Sequence, residues 1–329
     1  MNILILGDVV GPSGRKAVTD NLPKIIKKKK IDFVVINGEN SADPGVGITR
    51  KIASELLDAG ADVITTGNHV WDQEEALEFI TSERRMLRPE NLIGDLPGKG
   101  FDIFHSKSSK KIAVINLMGN VFMKKCNDVF ECAKKIMEKI KLKKEADFII
   151  VDFHGEITSE KMAMGAFFDG KATIVVGTHT HVPTLDYRIL SNGTAYQTDL
   201  GMCGDYNSVI GMNKENSIGK FLKLSNTKPH FPATGSASLS GIIVEADENT
   251  TVKLTITKPA AALGSGSDIT TVLNIDNTQQ GIDPDTFFAE QLDDFEYYER
   301  DYIENNPGTV NGTLISYVGG FFDDTTGVS

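Results

Sequence analysis

Six short apolar, β-branched runs recur through the first 180 residues, and they limit the fold more than any other feature of the chain. They are NILIL (2–6), DFVVIN (32–37), DVITT (62–66), KIAVINL (111–117), DFIIVDF (147–153) and ATIVVGT (172–178), each read as a buried strand. Helix-like segments lie between them. RKIASELLDAG (50–60) sets Ile52, Leu56 and Leu57 on one face and stops at a glycine, DQEEALEFI (72–80) opens with an Asp cap and early acids, and 121–144 has amphipathic spacing. This alternation predicts an α/β layered fold. Farther on, TLDYRIL, TAYQTDL, SGIIVEAD and TVKLTITK read as strands with no helices between them. The expected architecture is therefore a sandwich of two packed mixed β-sheets flanked by helices, plus a C-terminal extension.

With 329 residues, 40% of them hydrophobic and 24% charged, the chain reads as an ordinary globular protein that can bury a large core. The opening MNILILGDVVG has too short an apolar run, and no basic lead, for a signal peptide. No run approaches the roughly 18 apolar residues of a membrane span. Three cysteines without pattern suit neither a disulfide framework nor a zinc ribbon, so a reducing cytoplasm is the expected setting and no membrane partner is expected. The net charge of −11 is unevenly placed. Residues 259–329 hold thirteen Asp or Glu against Arg300 alone, a net of −12, which leaves about +1 for residues 1–258. Neither part has the basic face of a duplex nucleic-acid binder. KIIKKKK (24–30) fits the solvated end of a helix. The small-residue stretch PAAALGSGSD suggests a linker, so the expected domains are 1–258 and an acidic, aromatic-containing extension, 259–329.

The chemistry is concentrated just past the strands. NILIL runs into Gly7-Asp8, DFVVIN into Gly38-Glu39-Asn40, and DVITT into Gly67-Asn68-His69. DFIIVDF runs into His154, and ATIVVGT into His179-Thr180-His181. Ligands of parallel α/β sheets bind beyond the carboxyl ends of the strands, and glycines there let the backbone turn sharply. Taken singly, Asp8 and Asn68 could cap helices and His154 could be structural. Glu39 is harder to explain so, since an unpaired buried carboxylate is costly. Together, two carboxylates, two carboxamides and four imidazoles form a mixed oxygen and nitrogen donor set that suits Mn, Fe or Zn ions better than Ca²⁺. His105 and His230 fall outside every motif and are expected to be structural or surface residues. GPSGRK (11–16) misses the spacing of a phosphate-binding P-loop and reads as a helix start, with Arg15 a candidate for attracting phosphate.

The ordered series LGDVVGPSGR, NGENSADPGVGIT, TTGNHVWDQ, VDFHGEITSEK, VVGTHTHVPT and YQTDLGMCG resembles the calcineurin-like metallophosphoesterases, and within them the YmdB-like branch, over residues 1–258. Val10 stands where the wider superfamily has a histidine, and Glu39 where it has an aspartate; both departures suit that branch. The resemblance implies a 2′,3′-cyclic-nucleotide phosphodiesterase holding two metal ions, iron foremost with manganese or zinc as alternatives. Glu39 would bridge them, one ion also held by Asp8, Asn40 and His181, the other by Asn68, His154 and His179. A hydroxide between the ions would attack phosphorus, and His69 would act as general acid with Asp72 orienting its ring. The implied partners are a small cyclic nucleotide or other phosphoester and further copies of the chain in a homo-oligomer. Broader phosphomonoesterase or phosphodiesterase activity, and a regulatory nucleotide-binding or scaffold role, remain open at the level of sequence.

Overall fold

The computed structural model describes residues 1–246, 252–257 and 270–273, the last two stretches as backbone alone. Its first sheet contains β1 (Asn2–Leu6), β3 (Phe33–Asn37) and β4 (Val63–Thr65) running parallel. The antiparallel β12 (Gly241–Ala246), β13 (Val252–Thr257) and β14 (Thr270–Leu273) complete the order β14-β13-β12-β1-β3-β4. The second sheet has the order β5-β6-β7-β8-β10-β9. Within it β6 (Lys111–Met118), β7 (Phe148–His154), β8 (Ile174–Thr178) and β10 (Ala195–Gln197) run parallel, and β5 (Phe101–His105) and β9 (Arg188–Ile189) are antiparallel edges. A two-residue ladder joins β2 (Asp8–Val9) to β11 (Met202–Cys203).

The strands are apolar on both faces because each sheet is covered on both. In β1, Ile3 and Ile5 enter a core shared with Ile112, Val114, Ile150, Ile174 and Val176 of the second sheet. Leu4 and Leu6 point the other way, toward Val18 and Leu22 of α1 (Gly11–Lys29) and Ile52 and Leu56 of α2 (Arg50–Asp58). The outer face of the second sheet presents Ala113, Ile115, Ile149, Val151 and Val175. They pack on Val129, Ala133 and Ile136 of α4 (Val129–Lys139) and on Met164 and Phe168 of α5 (Thr158–Phe168). The period-2 alternation of each strand thus feeds two separate cores. At about 1.5–3 kcal/mol for each fully buried aliphatic side chain, these layers are the main stabilising mass of the fold. Among the described residues no helix is long and apolar enough to cross a membrane.

Two helices differ from expectation. The amphipathic stretch 121–144 is helical only from Val129 to Lys139, because Asp128 accepts from the Glu131 amide (2.8 Å) as N-cap and Asn120 Oδ1 takes the Val129 amide (2.9 Å). Likewise α3 is the single stretch Glu75–Phe79, and Asp72 does not cap it. The lysine run closes α1 with Lys27, Lys28 and Lys29 in its last turn, as expected. A compact unit spans Met1–Asp276, with β14 lying past residue 258; the rest of the acidic extension lies outside the described residues.

Candidate metal centre

Because β1, β3 and β4 of one sheet and β6, β7 and β8 of the other all end on the same side, their C-terminal residues meet. Asp8, Glu39, Asn40 and His154 are fully or almost fully buried there, and His181 is nearly so. Two groupings emerge. In one, Glu39 Oε1 lies 2.8 Å from His154 Nε2, which is 3.1 Å from both Asn68 Oδ1 and His179 Nδ1. Potential ligand atoms of Glu39, His154 and His179 all fall within 4.8 Å of one another. In the other, Asn40 Nδ2 stands 3.4 Å from Asp8 Oδ1, 3.3 Å from Glu39 Oε1 and 3.1 Å from His181 Nε2, while His181 Nε2 is 3.6 Å from Asp8 Oδ1. Glu39 belongs to both. The structure brings all seven residues named from sequence to one place.

The surroundings fit metal ions. Each of the three clustered imidazoles has one nitrogen facing the other donors and the opposite nitrogen held from behind. His154 Nδ1 meets Thr178 Oγ1 (2.9 Å), His179 Nε2 meets Glu156 Oε2 (3.2 Å), and His181 Nδ1 meets the Ile210 carbonyl (2.7 Å). Outer partners of this kind fix the tautomer and ring direction of a metal-ligating histidine. Gly67 is required by space alone, since a Cβ there would fall 2.3 Å from His154 Nε2 and 2.4 Å from Glu39 Oε2. His179 and His181 both take left-handed backbone, φ 100° and 64°, an unfavourable conformation for residues with a Cβ.

Charge tells the same story. Burial would raise the Asp8 carboxyl, but His181 and His154 hold it well below the ordinary carboxylate range. Burial also opposes ionisation of Glu39, and His154 overcomes it. In return, burial disfavours the His181 imidazolium, yet Asp8 carries its pKa up to about 9. His154 rises too, Glu39 outweighing burial, whereas burial and the neighbouring His154 push His179 down to about 4. Two carboxylates are thus held ionised where burial opposes charge, a setting that favours bound cations.

His69 stands at the edge of this cluster. Its amide donates to Glu39 Oε2 (3.1 Å), and its Nδ1 lies 2.6 Å from Asp72 Oδ2. Lys124 Nζ, from the loop after β6, donates to the Asn68 carbonyl (2.6 Å) and lies 3.5 Å from Asp72 Oδ1. Arg15, by contrast, is engaged by the Ser41 carbonyl and the Asp43 carboxylate (2.7 Å). His105 and His230 are exposed and apart from the site.

Sequence reasoning passes over a buried polar layer beneath these side chains. Asn37 Nδ2 donates to Asp152 Oδ2 (3.1 Å) and Thr178 Oγ1 (3.3 Å), and Thr178 Oγ1 donates to Asp152 Oδ1 (2.7 Å). The signal was present: Asn37 and Asp152 are polar residues inside the apolar runs FVVIN and FIIVDF.

A family model described as YmdB-like protein matches residues 4–258. The 2′,3′-cyclic-nucleotide 2′-phosphodiesterase of Bacillus subtilis (strain 168) is 44% identical over 251 residues, 76% of this chain and 93% of that protein. Among solved structures, a hypothetical protein from Thermus thermophilus superposes with a TM-score of 0.71 at 36% identity, covering 79% of this chain and 100% of that one. A novel phosphatase from Mycoplasma pneumoniae gives 0.69 at 36% identity, covering 81% and 97%.

Proposed function

The chain belongs to the YmdB-like protein family, and on that premise we propose that it is a binuclear-metal phosphodiesterase opening 2′,3′-cyclic nucleotides. It is an enzyme of the phosphoester hydrolase class. The observation that carries the finer reading is the convergence of the donor set on one sheet end with a separate histidine, His69, backed by a carboxylate 2.6 Å away. Glu39, shared by the two groupings, would serve both ions; Asp8, Asn40 and His181 would hold one, and Asn68, His154 and His179 the other. Oxygen and imidazole donors without thiolate suit iron, manganese or zinc. When bound, such ions place positive charge on the phosphoryl oxygens and lower the pKa of water enough to provide a nucleophile at neutral pH.

The remaining work falls to the chain's own side chains. In this mechanism Asp72 accepts a hydrogen bond from His69 Nδ1, leaving Nε2 as the atom that would carry the transferred proton. From there it passes to the ribose oxygen as its bond to phosphorus breaks, a role usually contributing about 10²–10⁴-fold. Lys124 ties the Asn68 carbonyl to Asp72, so the turn carrying both the ligand and the acid is held at two points.

The test is steady-state turnover of Mn²⁺-loaded protein on 2′,3′-cyclic AMP, 3′,5′-cyclic AMP, bis-p-nitrophenyl phosphate and p-nitrophenyl phosphate. The expected result is preference for the 2′,3′-cyclic ester, lost in Glu39→Ala and in His69→Ala, with metal content unchanged in the latter. Equal or faster monoester turnover makes the protein a general phosphatase. Metal binding without turnover on any of the four sinks the catalytic reading in favour of a nucleotide-binding or scaffold role.

A further inference from the structure

Behind the histidine arch lies an ion pair that the reaction itself does not use. Lys161 of α5 and Asp199, just past β10, are both almost wholly buried, with Nζ 2.6 Å from Asp199 Oδ2. Their other bonds converge on one stretch of backbone. Lys161 Nζ donates to the Thr178 carbonyl (2.9 Å), and Asp199 Oδ2 accepts the Thr180 amide (3.1 Å). These two contacts bracket His179, the first of the two left-handed residues, and precede His181, the second. Asp199 Oδ1 also accepts the Gly201 amide (2.8 Å), and the Gly201 carbonyl accepts the Asp8 amide (3.2 Å). Gly177 makes the approach possible: a Cβ there would lie 1.8 Å from the Thr198 carbonyl oxygen and 3.0 Å from Lys161 Cδ.

A buried ion pair adds little to stability alone, because desolvating both charges offsets most of their attraction. This one is placed where it holds backbone that would otherwise relax. We propose that Lys161 and Asp199 are positioning residues that clamp the Thr178–His181 arch, keeping His179 and His181 aimed at two adjacent metal positions and Asp8 in register with them. The proposal rests on the metal-centre reading above. Through the arch, the clamp sets metal affinity; it touches neither substrate nor metal.

The experiment compares the full-length protein with Lys161→Met, Asp199→Asn and the double variant Lys161→Met/Asp199→Leu, which replaces the pair by apolar groups. Ile136→Ala, in the α4 core away from the arch, serves as a destabilised control. Mn²⁺ affinity is read by competition with a chelator, stoichiometry by elemental analysis, and thermal midpoint by calorimetry. The expected result is a rise in the Mn²⁺ dissociation constant of about 10–100-fold in all three clamp variants, the scale on which outer partners of a metal site act. The double variant should not recover affinity whatever its thermal midpoint, because the Thr178 carbonyl and the Thr180 and Gly201 amides lose their side-chain partners. Ile136→Ala should lower the midpoint and keep wild-type affinity. Wild-type affinity in the double variant overturns the clamp while leaving the metal centre standing, as does an Ile136→Ala affinity loss that tracks its midpoint. A wild-type protein that holds no Mn²⁺, Fe²⁺ or Zn²⁺ overturns both.

Discussion

Gly67 shows how little room the site leaves. Its backbone is not in the left-handed region, so alanine there meets no conformational objection; the conflict is with His154 Nε2 and Glu39 Oε2, at 2.3 and 2.4 Å from the added carbon. Neither can retreat far, since Glu39 and His154 are wholly buried. Gly67→Ala is therefore expected to fold but to lose most of its bound metal, measured by elemental analysis after Mn²⁺ loading. Full metal content would show that the cluster is softer than its packing implies. Asp72 has a different failure mode. Asp72→Asn removes the charge behind His69 but should leave the metals in place, so kcat is expected to fall by about tenfold or more, yet less than in His69→Ala. A fall in metal content instead would move Asp72 from orienting the acid to supporting the ligand turn. The proposed ligands could be picked out in sequence because they lie at or just past strand ends, several of them beside a glycine. What lay behind them was not. Lys161 shares an apolar helical face with Met164 and Phe168, and a lysine there is informative only once Asp199, 38 residues away, is known to meet it. The left-handed backbone of His179 and His181 has no sequence signal at all, since neither residue is glycine or asparagine.

Strands were easier to place than helices, for a physical reason. Burial on both faces makes a run such as FIIVDF unmistakable, whereas amphipathic spacing continues through 121–144 although the chain is helical only from residue 129. Competition from side chains decided that boundary: Asn120 and Asp128 offer oxygens to the Val129 and Glu131 amides, and the chain before them turns, with Phe122 at φ 59°. Two predictions belong at this scale. Ile150 of β7 sits in the core between the sheets, so Ile150→Ala should cost about 2–5 kcal/mol in urea unfolding. A loss below about 1 kcal/mol would mean that the two sheets close over the cavity. On the edge strand β5, burial pushes the Asp102 carboxyl up, but Arg84 (2.6 Å) and Lys99 (3.0 Å) prevail and bring it down to about 2. A depressed acid stabilises the fold above its unfolded pKa of about 4, and that contribution fades as pH falls toward 2. Both cations are largely exposed, so solvent screening limits the effect to about 1 kcal/mol or less. The urea midpoints of wild type and Asp102→Asn should differ at pH 7 and draw together as pH falls from about 4 toward 2; a constant gap would assign the difference to something other than this ionisation.

At the scale of the whole molecule, the proposed metal centre lies where the two sheets meet. Asp8, Glu39, Asn40 and Asn68 follow strands of the first sheet, while His154, His179 and His181 belong to the second. Ions held by both groups would tie the sheets together at this end, and only the folded chain presents the complete donor set. Metal removal should then lower stability by mass action: ions present at about a hundredfold over their dissociation constant contribute about 2.7 kcal/mol. For a domain of this size that corresponds to a fall of roughly 5–10 °C in the thermal midpoint on chelation. Calorimetry of the Mn²⁺-loaded and chelated protein measures it, with Gly67→Ala as the internal control. If the stabilisation comes from this centre, the chelator should shift the wild type and leave Gly67→Ala unmoved. Equal shifts in both would place the responsible ion elsewhere on the chain. No shift in the wild type would make the centre an instrument of catalysis with no part in holding the sheets together.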